Sequence, residues 1–564
     1  MKPFWVTFYS YKGGVGRSLA LANTAALLVK RGRRVLLIDF DIEAPGLDSF
    51  AEFAPAAGKS GVVEYVSEFL RHKIAPDIRP FVHRCELPGP LRGQLCVMPA
   101  GKRDAAYNHQ LAHINWAELY ESGLGTPFFA NWKAAIDHHF QPDYIFVDSR
   151  TGLTEVGGVC TTQLPDLVMM LFGLNDQNVR GIATVAQSIR AADPDRVPQI
   201  HFVATPVPNL PADQRGVVTD KRAQERRSLL TERMDTAAEQ IGVKISSTIR
   251  YYSPASLSEK LFVLEEGFAR QSINGDYERL CEQIINFNRT GLDFLIEQAS
   301  EAISEGDSDR MERLSNVLER DYSDRAEAVY LHARFALARN ETPKAVDLAE
   351  KAFQLDPAYQ DPFNFLSSHY TRAHQPERVL VLLDTLLAHS ELLSPERRYN
   401  SQHERGHTLM ALGRYHDASA CYSECMDYAS AHHEPPALLM VHGFNLAEAY
   451  RRASGTVASE VWQKVAQMFG PAGVSSDAAS PDQANRWQAM HIAFACSGDL
   501  VAARDALKKA RRAAEGVGEI EDIFTVKSYL MVPVLEFLAI NDEMLAALDR
   551  GELWDGMKLP AAKA

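Results

Sequence analysis

The residues most able to do chemistry lie in a glycine-rich loop near the start of the chain, residues 12–18, with the sequence KGGVGRS. An apolar run over residues 4–8 precedes the loop and predicts a buried parallel strand. A helix-forming run over residues 18–28 follows it. A glycine-rich turn between a strand and a helix aims backbone N–H groups and the helix N-terminus at one point, where an anion binds. The chemistry predicted for the loop is therefore phosphate binding, and its glycines let the backbone approach closely.

The loop departs from the general phosphate-binding pattern G-x-x-x-x-G-K-[ST] at two positions. Tyr11 stands where the pattern has its first glycine, and Arg17 stands where it has lysine. A variant pattern with a lysine ahead of two glycines, here Lys12, fits better, and in this form the loop resembles that of the ParA/MinD family of ATPases. The resemblance implies that Lys12 reaches the ATP of a partner across a nucleotide-sandwiched dimer. Arg17 keeps the positive charge on a wider, planar group, so we predict ATP binding with hydrolysis of low turnover.

Three further segments stand in the order that this family requires. Residues 35–41, VLLIDFD, indicate a buried strand ending in two carboxylates and resemble the switch I segment. Residues 142–148, PDYIFVD, resemble a Walker B strand that ends in Asp148, with switch II over residues 149–152. Residues 94–101, QLCVMPAG, resemble the short strand and Pro-Ala-Gly turn of MinD-like chains. The resemblance predicts an α/β P-loop domain whose mostly parallel sheet is flanked by helices.

The resemblance also assigns roles to side chains around bound ATP and Mg²⁺. Lys12 and Asp41 are the predicted catalytic residues, and Asp41 is expected to position the attacking water. Ser18 is predicted to ligate Mg²⁺ directly, while Asp148 and Asp39 are predicted to act through metal-bound waters. Asp39 also fits a structural role, because an aspartate at the end of a strand caps the following turn. The predicted nucleotide contacts are Lys12, Gly13, Gly14, Val15, Gly16, Arg17, Ser18, Leu19 and Gly152.

Length, charge and cysteine content narrow what the whole chain can be. At 564 residues the chain is too long for one core, and it has no apolar run long enough to cross a membrane. The seven cysteines lack metal-binding spacing, and a first strand beginning at residue 4 predicts that no signal peptide precedes it. We therefore predict a cytoplasmic protein without a membrane partner. The net charge of −14 and the mixed charges of residues 220–232 argue against nucleic acid as a partner.

The second part of the chain has the composition and spacing of helical repeats. A period of about 34 residues, that of tetratricopeptide (TPR) repeats, is visible there. It is clearest over residues 399–432, where Gly406 and Tyr422 stand at positions at which the two helices of such a repeat pack. Residues 326–357 and 484–516 carry similar units. The alternative is an ordinary helical bundle whose periodicity is accidental.

These observations predict four segments and one leading function. The segments are a ParA/MinD-like nucleotide-binding domain over 1–295, a helical linker over 296–323, an all-α TPR-like solenoid over 324–553 and a C-terminal tail over 554–564. The predicted function is a molecular switch whose nucleotide state controls the assembly of protein partners on the TPR groove. A homodimer or higher homo-oligomer is expected, in a bacterial regulatory or defence system. The alternatives are a nucleotide sensor with weak catalysis, a cargo-positioning ATPase, and a domain that binds no nucleotide.

Overall fold

The computed structural model describes the chain in twelve segments and divides it into two compact units, Met1–Asn340 and Glu341–Ala564. All seven cysteines are free thiols, and six of them are buried. None of the described helices is long and apolar enough to cross a membrane. The described residues are 2–152, 158–192, 197–208, 221–256, 258–265, 273–432, 436–456, 458–469, 480–517, 524–526, 530–555 and 558–559.

The first unit is built on an eight-stranded sheet. Its strands are β1 (Phe4–Ser10), β2 (Arg34–Asp39), β3 (His83–Cys85), β4 (Gln94–Met98), β5 (Tyr144–Asp148), β6 (Leu167–Phe172), β7 (Gln199–Val207) and β8 (Ser247–Arg250). They lie in the order β3-β4-β2-β5-β1-β6-β7-β8. Only β3 runs antiparallel to its neighbour, so every other neighbouring pair in this sheet is parallel. This sheet, with its flanking helices, confirms the predicted fold class for the first part of the chain.

Helices flank the sheet of the first unit on both faces. They are α1 (Arg17–Lys30), α2 (Val62–His72), α3 (Tyr107–His113), α4 (Trp116–Glu121), α5 (Gly125–Phe140), α6 (Asp176–Ala192), α7 (Lys221–Ile241), α8 (Ile273–Phe287), α9 (Leu292–Glu305), α10 (Ser308–Tyr322) and α11 (Ala326–Ala338). Successive residues of a strand point to opposite faces. Val35 and Leu37 of β2 therefore pack in the cluster that contains α1 and α8, while Leu36 and Ile38 pack in the cluster of α2 and α5. Burial on both faces explains why β2 is apolar from Val35 to Ile38, between Arg34 and Asp39 at its two ends.

The helices α9, α10 and α11 belong to the first compact unit, which extends to Asn340. The segment predicted as a helical linker, 296–323, thus lies within that unit, as does the beginning of the predicted repeat region. A charged contact ties α9 to the residue before β2: Arg33 donates to both carboxylate oxygens of Asp293, each at 2.9 Å. The predicted boundary between the repeat region and the tail, at residues 553–554, stays a prediction.

The second unit is helical, as the sequence indicates. Its helices are α12 (Thr342–Leu355), α13 (Gln360–Arg372), α14 (Pro376–Ala388), α15 (Pro395–Ala411), α16 (Tyr415–Ala431), α17 (Pro436–Ser454), α18 (Ser459–Phe469), α19 (Pro481–Ser497), α20 (Leu500–Glu515) and α21 (Val534–Asp549). Each helix contacts the next one along the chain. An antiparallel pair of short strands, β9 (Phe524–Val526) and β10 (Leu530–Val532), was not predicted. Most of the predicted tail over 554–564 lies outside the described residues.

The close packing of α15 on α16 at Gly406 leads to a testable prediction about the stability of the second unit. Gly406 is buried, and a methyl group in its place would lie 2.8 Å from Cε1 of the Tyr422 ring. We expect Gly406→Ala to lower the free energy of unfolding by about 1–2 kcal/mol, because the clash outweighs the helix-forming gain of alanine. Calorimetric melting of the full chain measures the loss. Ser430→Ala, at an exposed position of α16, is the matched control, and equal melting of the two variants would contradict the expectation.

Candidate functional site

The glycine-rich loop joins β1 to α1 and leaves open space beside its glycines. Gly14 and Gly16 have φ angles of 79° and 77°, a left-handed conformation that glycine adopts without strain. Methyl groups on Gly13, Gly14 or Gly16 would meet no atom within 4 Å. Gly16 is also the N-cap of α1, and no side chain caps this helix. The N-cap residue therefore offers no side-chain acceptor to the N–H groups of the first turn, and a bound anion is the kind of group that satisfies them.

Arg17 connects the loop to the two carboxylates predicted to act on the nucleotide. Its Nε donates to Oδ1 of Asp148 at 2.5 Å, and its Nη2 donates to Oδ2 of Asp41 at 2.7 Å. Burial disfavours the charge of the guanidinium group, but the carboxylates of Asp148 and Asp41 outweigh burial and raise the pKa of Arg17 above its ordinary value. The structure therefore brings together the three charged groups that the sequence placed in separate segments.

Ser18 and Asp148 are also in direct contact. The Ser18 hydroxyl donates to Oδ2 of Asp148 at 2.5 Å, so both oxygens of this fully buried carboxylate are engaged. Burial raises the pKa of Asp148, although Arg17 and Ser18 act in the opposite direction. Gly46, in the segment after β2, approaches the same hydroxyl, since a methyl group on it would lie 3.6 Å from Ser18 Oγ. Ser18 thus lies between the end of β5 and the loop that follows β2.

Asp39 holds the loop that follows β2. Its two carboxylate oxygens accept backbone N–H groups, one from Asp41 and one from Leu47, both at 3.1 Å. It pairs in register with Asp148 on the neighbouring strand β5. Burial, followed by the charge of Asp148, raises the pKa of the Asp39 carboxyl group to about 8. These contacts favour the structural role, and its predicted water-mediated contact with a metal ion stays a prediction.

The other predicted contact residues surround the loop. Lys12 is exposed, while Leu19 is half-buried. Val15 is buried, and its carbonyl oxygen accepts a hydrogen bond from the Thr205 hydroxyl at 3.2 Å. Gly152 has a φ of 78°, and its carbonyl oxygen accepts from the Tyr9 hydroxyl at 3.1 Å. Tyr9, which the sequence analysis did not single out, thereby ties the segment after β5 to β1.

Two pairings at the site were missed by sequence reasoning. Arg150 forms an ion pair with Glu43, which joins the loop after β5 to the loop after β2. Opposite charges after two neighbouring strands were the available signal, but the adjacency of those strands was not known. Tyr11 lies against Gly181 of α6, where a methyl group would come within 2.2 Å of the tyrosine ring. The tyrosine in the place of a glycine is thus accommodated by a glycine elsewhere.

The residues present fit a nucleotide with its magnesium ion. The open space at the loop suits a phosphate chain, and Nη1 of Arg17 is a buried donor to which no described residue offers an acceptor. Ser18 and Asp148 supply the hard oxygen atoms that Mg²⁺ prefers. Within the described ranges, no group of three or more His, Cys, Asp or Glu side chains could hold a metal ion by itself.

Comparison with known proteins identifies the family. Residues 6–324 match the family model described as the CobQ/CobB/MinD/ParA nucleotide binding domain, which covers more than half of the chain. The chain belongs to this family. The first unit is therefore a CobQ/CobB/MinD/ParA nucleotide-binding domain, and the resemblance read from the loop and its three companion segments is confirmed for this part.

Solved structures similar to the chain cover about half of it. The cell division ATPase MinD of Pyrococcus furiosus shares 14% identity at a TM-score of 0.36, over 50% of this chain and 98% of its own. The septum site-determining protein MinD of Pyrococcus horikoshii, complexed with Mg-ADP, shares 13% identity at a TM-score of 0.35, over 50% of this chain and 96% of its own. A plasmid partition protein from Borrelia burgdorferi shares 17% identity at a TM-score of 0.33, over 51% of this chain and 99% of its own. No curated protein matches the chain.

Proposed function

We propose that the chain is an ATP-binding, slowly hydrolysing molecular switch whose nucleotide state controls the assembly of proteins. The observation that carries the proposal is the meeting of Arg17, Asp41 and Asp148 directly at the N-terminus of α1. In open α/β sheets, ligands bind at the carboxyl ends of the strands, which is where β1, β2 and β5 lead into these residues. Membership of a nucleotide-binding family supports the same class of ligand.

Each residue of the site has a part in this proposal. Backbone N–H groups from Gly13 to Leu19 bind phosphate oxygens, and the positive charge of Arg17 strengthens those contacts. Ser18 ligates Mg²⁺, and Asp148 holds one of its waters. When bound, Mg²⁺ would neutralise much of the negative charge of the phosphate chain. The N–H of Gly152 responds to the terminal phosphate, so that the loop after β5 changes with the nucleotide state.

A nucleotide sensor with negligible hydrolysis is the second candidate, and one contact favours it. Asp41, the group proposed to position the attacking water, is ion-paired with Arg17 at 2.7 Å. A carboxylate held in this way is less available to a water molecule. Measurement of phosphate release by the purified full chain separates the two functions. Release that Asp41→Ala abolishes while ATP binding persists supports the switch, and no release from the wild-type protein supports the sensor.

We also propose that the second unit is a TPR-like scaffold that binds a protein partner. Two observations support this proposal: helix pairs lie over residues 399–431 and 484–515, and Gly406 of α15 packs against the Tyr422 ring of α16, at a position where a repeat of this type has a small residue. Stacked helix pairs form an extended groove suited to peptides and helices. The proposed setting remains a bacterial regulatory or defence system with Mg·ATP as ligand.

The experiment that tests the switch is the mass of the full chain in solution. We expect Mg·ATP to convert the protein to a dimer or larger assembly, and Lys12→Ala to abolish the change. Lys12, the first residue of the loop, is exposed, so its ammonium group can reach the phosphates bound by another copy. Size-exclusion chromatography with light scattering measures the mass. Lys30→Ala, at the other end of α1, is the matched control and should assemble as the wild-type protein does.

Two results would contradict this expectation. The first is a wild-type mass that Mg·ATP leaves unchanged, although the nucleotide binds. The second is assembly of Lys12→Ala to the same mass as the wild-type protein, which would show that another contact mediates the association.

A further inference from the structure

Arg17 makes two ion pairs and still has one arm of its guanidinium group without a partner. Its Nε donates to Asp148 at 2.5 Å, and its Nη2 donates to Asp41 at 2.7 Å. The third nitrogen, Nη1, is buried, and no described residue accepts a hydrogen bond from it. The side chain as a whole is 8% exposed. Because a buried donor without an acceptor is costly, this arm calls for an acceptor that a ligand would supply.

Asp148, one of the two carboxylates that hold Arg17, is also the one proposed to hold a Mg²⁺-bound water. One oxygen of Asp148 accepts from Arg17, and the other accepts from the Ser18 hydroxyl. Asp41 and Asp148 are both buried, and buried carboxylates require a positive charge beside them. In this structure the guanidinium group supplies that charge. A Mg²⁺-bound water at Asp148 would share this carboxylate with Arg17 and Ser18.

A lysine in this position could not make the same set of contacts. The guanidinium group presents five N–H donors in a rigid plane, whereas an ammonium group is a point charge on a flexible stem. Arg17 can keep both carboxylates while its Nη1 donates to a phosphate oxygen. A lysine that turns towards the phosphates leaves Asp41 and Asp148 without a cation. A site with lysine therefore depends on a metal ion in a way that the site with arginine does not.

We propose that Arg17 is a built-in cation of the nucleotide site, which bridges Asp41 and Asp148 to a phosphate oxygen and lets the nucleotide bind without Mg²⁺. This inference rests on the proposed function, since it requires a nucleotide at the loop. It makes Arg17 the residue that sets the metal requirement for binding. Binding of the nucleotide then does not require Mg²⁺, although a later step such as hydrolysis can still require it.

Calorimetric titration of ADP into the full chain, in excess Mg²⁺ and in EDTA, tests the inference without turnover. For the wild-type protein, we expect the dissociation constants in the two conditions to differ by less than about tenfold. For Arg17→Lys, we expect removal of Mg²⁺ to weaken ADP binding by more than about tenfold. Arg31→Lys makes the same exchange at the other end of α1 and is the matched control, which should behave as the wild-type protein does.

The outcomes separate this inference from the proposed function. A wild-type affinity that falls by about tenfold or more in EDTA would overturn the inference and leave nucleotide binding in place. Equal metal dependence in the wild-type protein and in Arg17→Lys would overturn it as well. If neither ADP nor ATP binds in either condition, the proposed function fails and the inference fails with it. If Arg17→Lys does not fold, as judged by circular dichroism, the two wild-type titrations decide.

Discussion

Replacing Arg33 with alanine is expected to lower the free energy of unfolding of the first unit by about 3–5 kcal/mol. The Arg33 side chain is 3% exposed and donates to both oxygens of Asp293 at 2.9 Å. Its Nη1 also donates to Glu327 of α11 at 3.2 Å. Burial disfavours the charge of Arg33, but the carboxylates around it, Asp293 foremost and then Glu327, outweigh burial and raise the pKa of Arg33 above its ordinary value. Removal of the Arg33 side chain leaves the carboxylates of Asp293 and Glu327 buried without much of the positive charge that neutralises them.

Urea unfolding of the full chain, followed by circular dichroism, measures the effect of Arg33→Ala. Arg79→Ala is the matched control, because Arg79 pairs with Asp77 at an exposed position. Such a pair is surrounded by water, so we expect no measurable change there. Arg33→Lys keeps the charge but loses the paired hydrogen bonds, and its stability should lie between those of the other two variants. An alanine variant as stable as Arg79→Ala would show that the carboxylates find other partners.

The same contacts explain why the first unit continues beyond the predicted domain end at residue 295. Arg33 precedes β2, and Asp143 precedes the neighbouring strand β5. Asp143 forms an ion pair with Arg325, at the start of α11, and accepts the backbone N–H of Arg34 at 2.7 Å. The sequence shows only charged residues far apart along the chain. Nothing in their spacing indicates that the fold brings them together.

The parts of the site that the sequence could predict are those that local rules determine. A strand, a glycine-rich turn and a helix follow one another in the loop, so an anion-binding turn over residues 12–18 needs no knowledge of distant residues. Apolar runs that end in aspartate likewise place Asp39 and Asp148 at strand ends. Because β2 and β5 turn out to be neighbours, the two carboxylates lie side by side in register. The parallel sheet itself follows from alternating strands and helices.

The parts of the site that could not be predicted are the pairings between side chains, because several donors and acceptors could form each one. The sequence predicts that Arg17 contacts phosphate, but its ion pairs with Asp41 and Asp148 depend on how the fold brings three loops together. Both carboxylate oxygens of Asp39 accept N–H groups of its own loop, which its position at a strand end does not reveal. A sequence lists these donors and acceptors without their geometry. The hydrogen-bond partners of the site therefore required the fold.

Gly181→Ala is expected to weaken nucleotide binding by at least about tenfold, through Tyr11 rather than through any contact with the nucleotide. A methyl group on Gly181 would lie 2.2 Å from Cδ1 of the Tyr11 ring and 2.4 Å from its Cγ. The ring must move as a whole, because the close atoms include the one attached to Cβ. Tyr11 directly precedes Lys12, so its displacement disturbs the loop that is proposed to hold the phosphates. Overpacking of this kind also costs about 1–3 kcal/mol of stability.

The exchange Tyr11→Gly, which restores the glycine of the general pattern, makes the explanation testable. We expect Tyr11→Gly combined with Gly181→Ala to bind ADP more tightly and to melt higher than Gly181→Ala alone, because the methyl group then meets no ring. In a double-mutant cycle on the free energy of unfolding, the coupling between the two exchanges should exceed about 1 kcal/mol. This measurement does not require that a nucleotide binds. Gln187→Ala, on the exposed face of the same helix, is the matched control. Additive effects would mean that the two residues do not constrain each other, and that the tyrosine is tolerated for another reason.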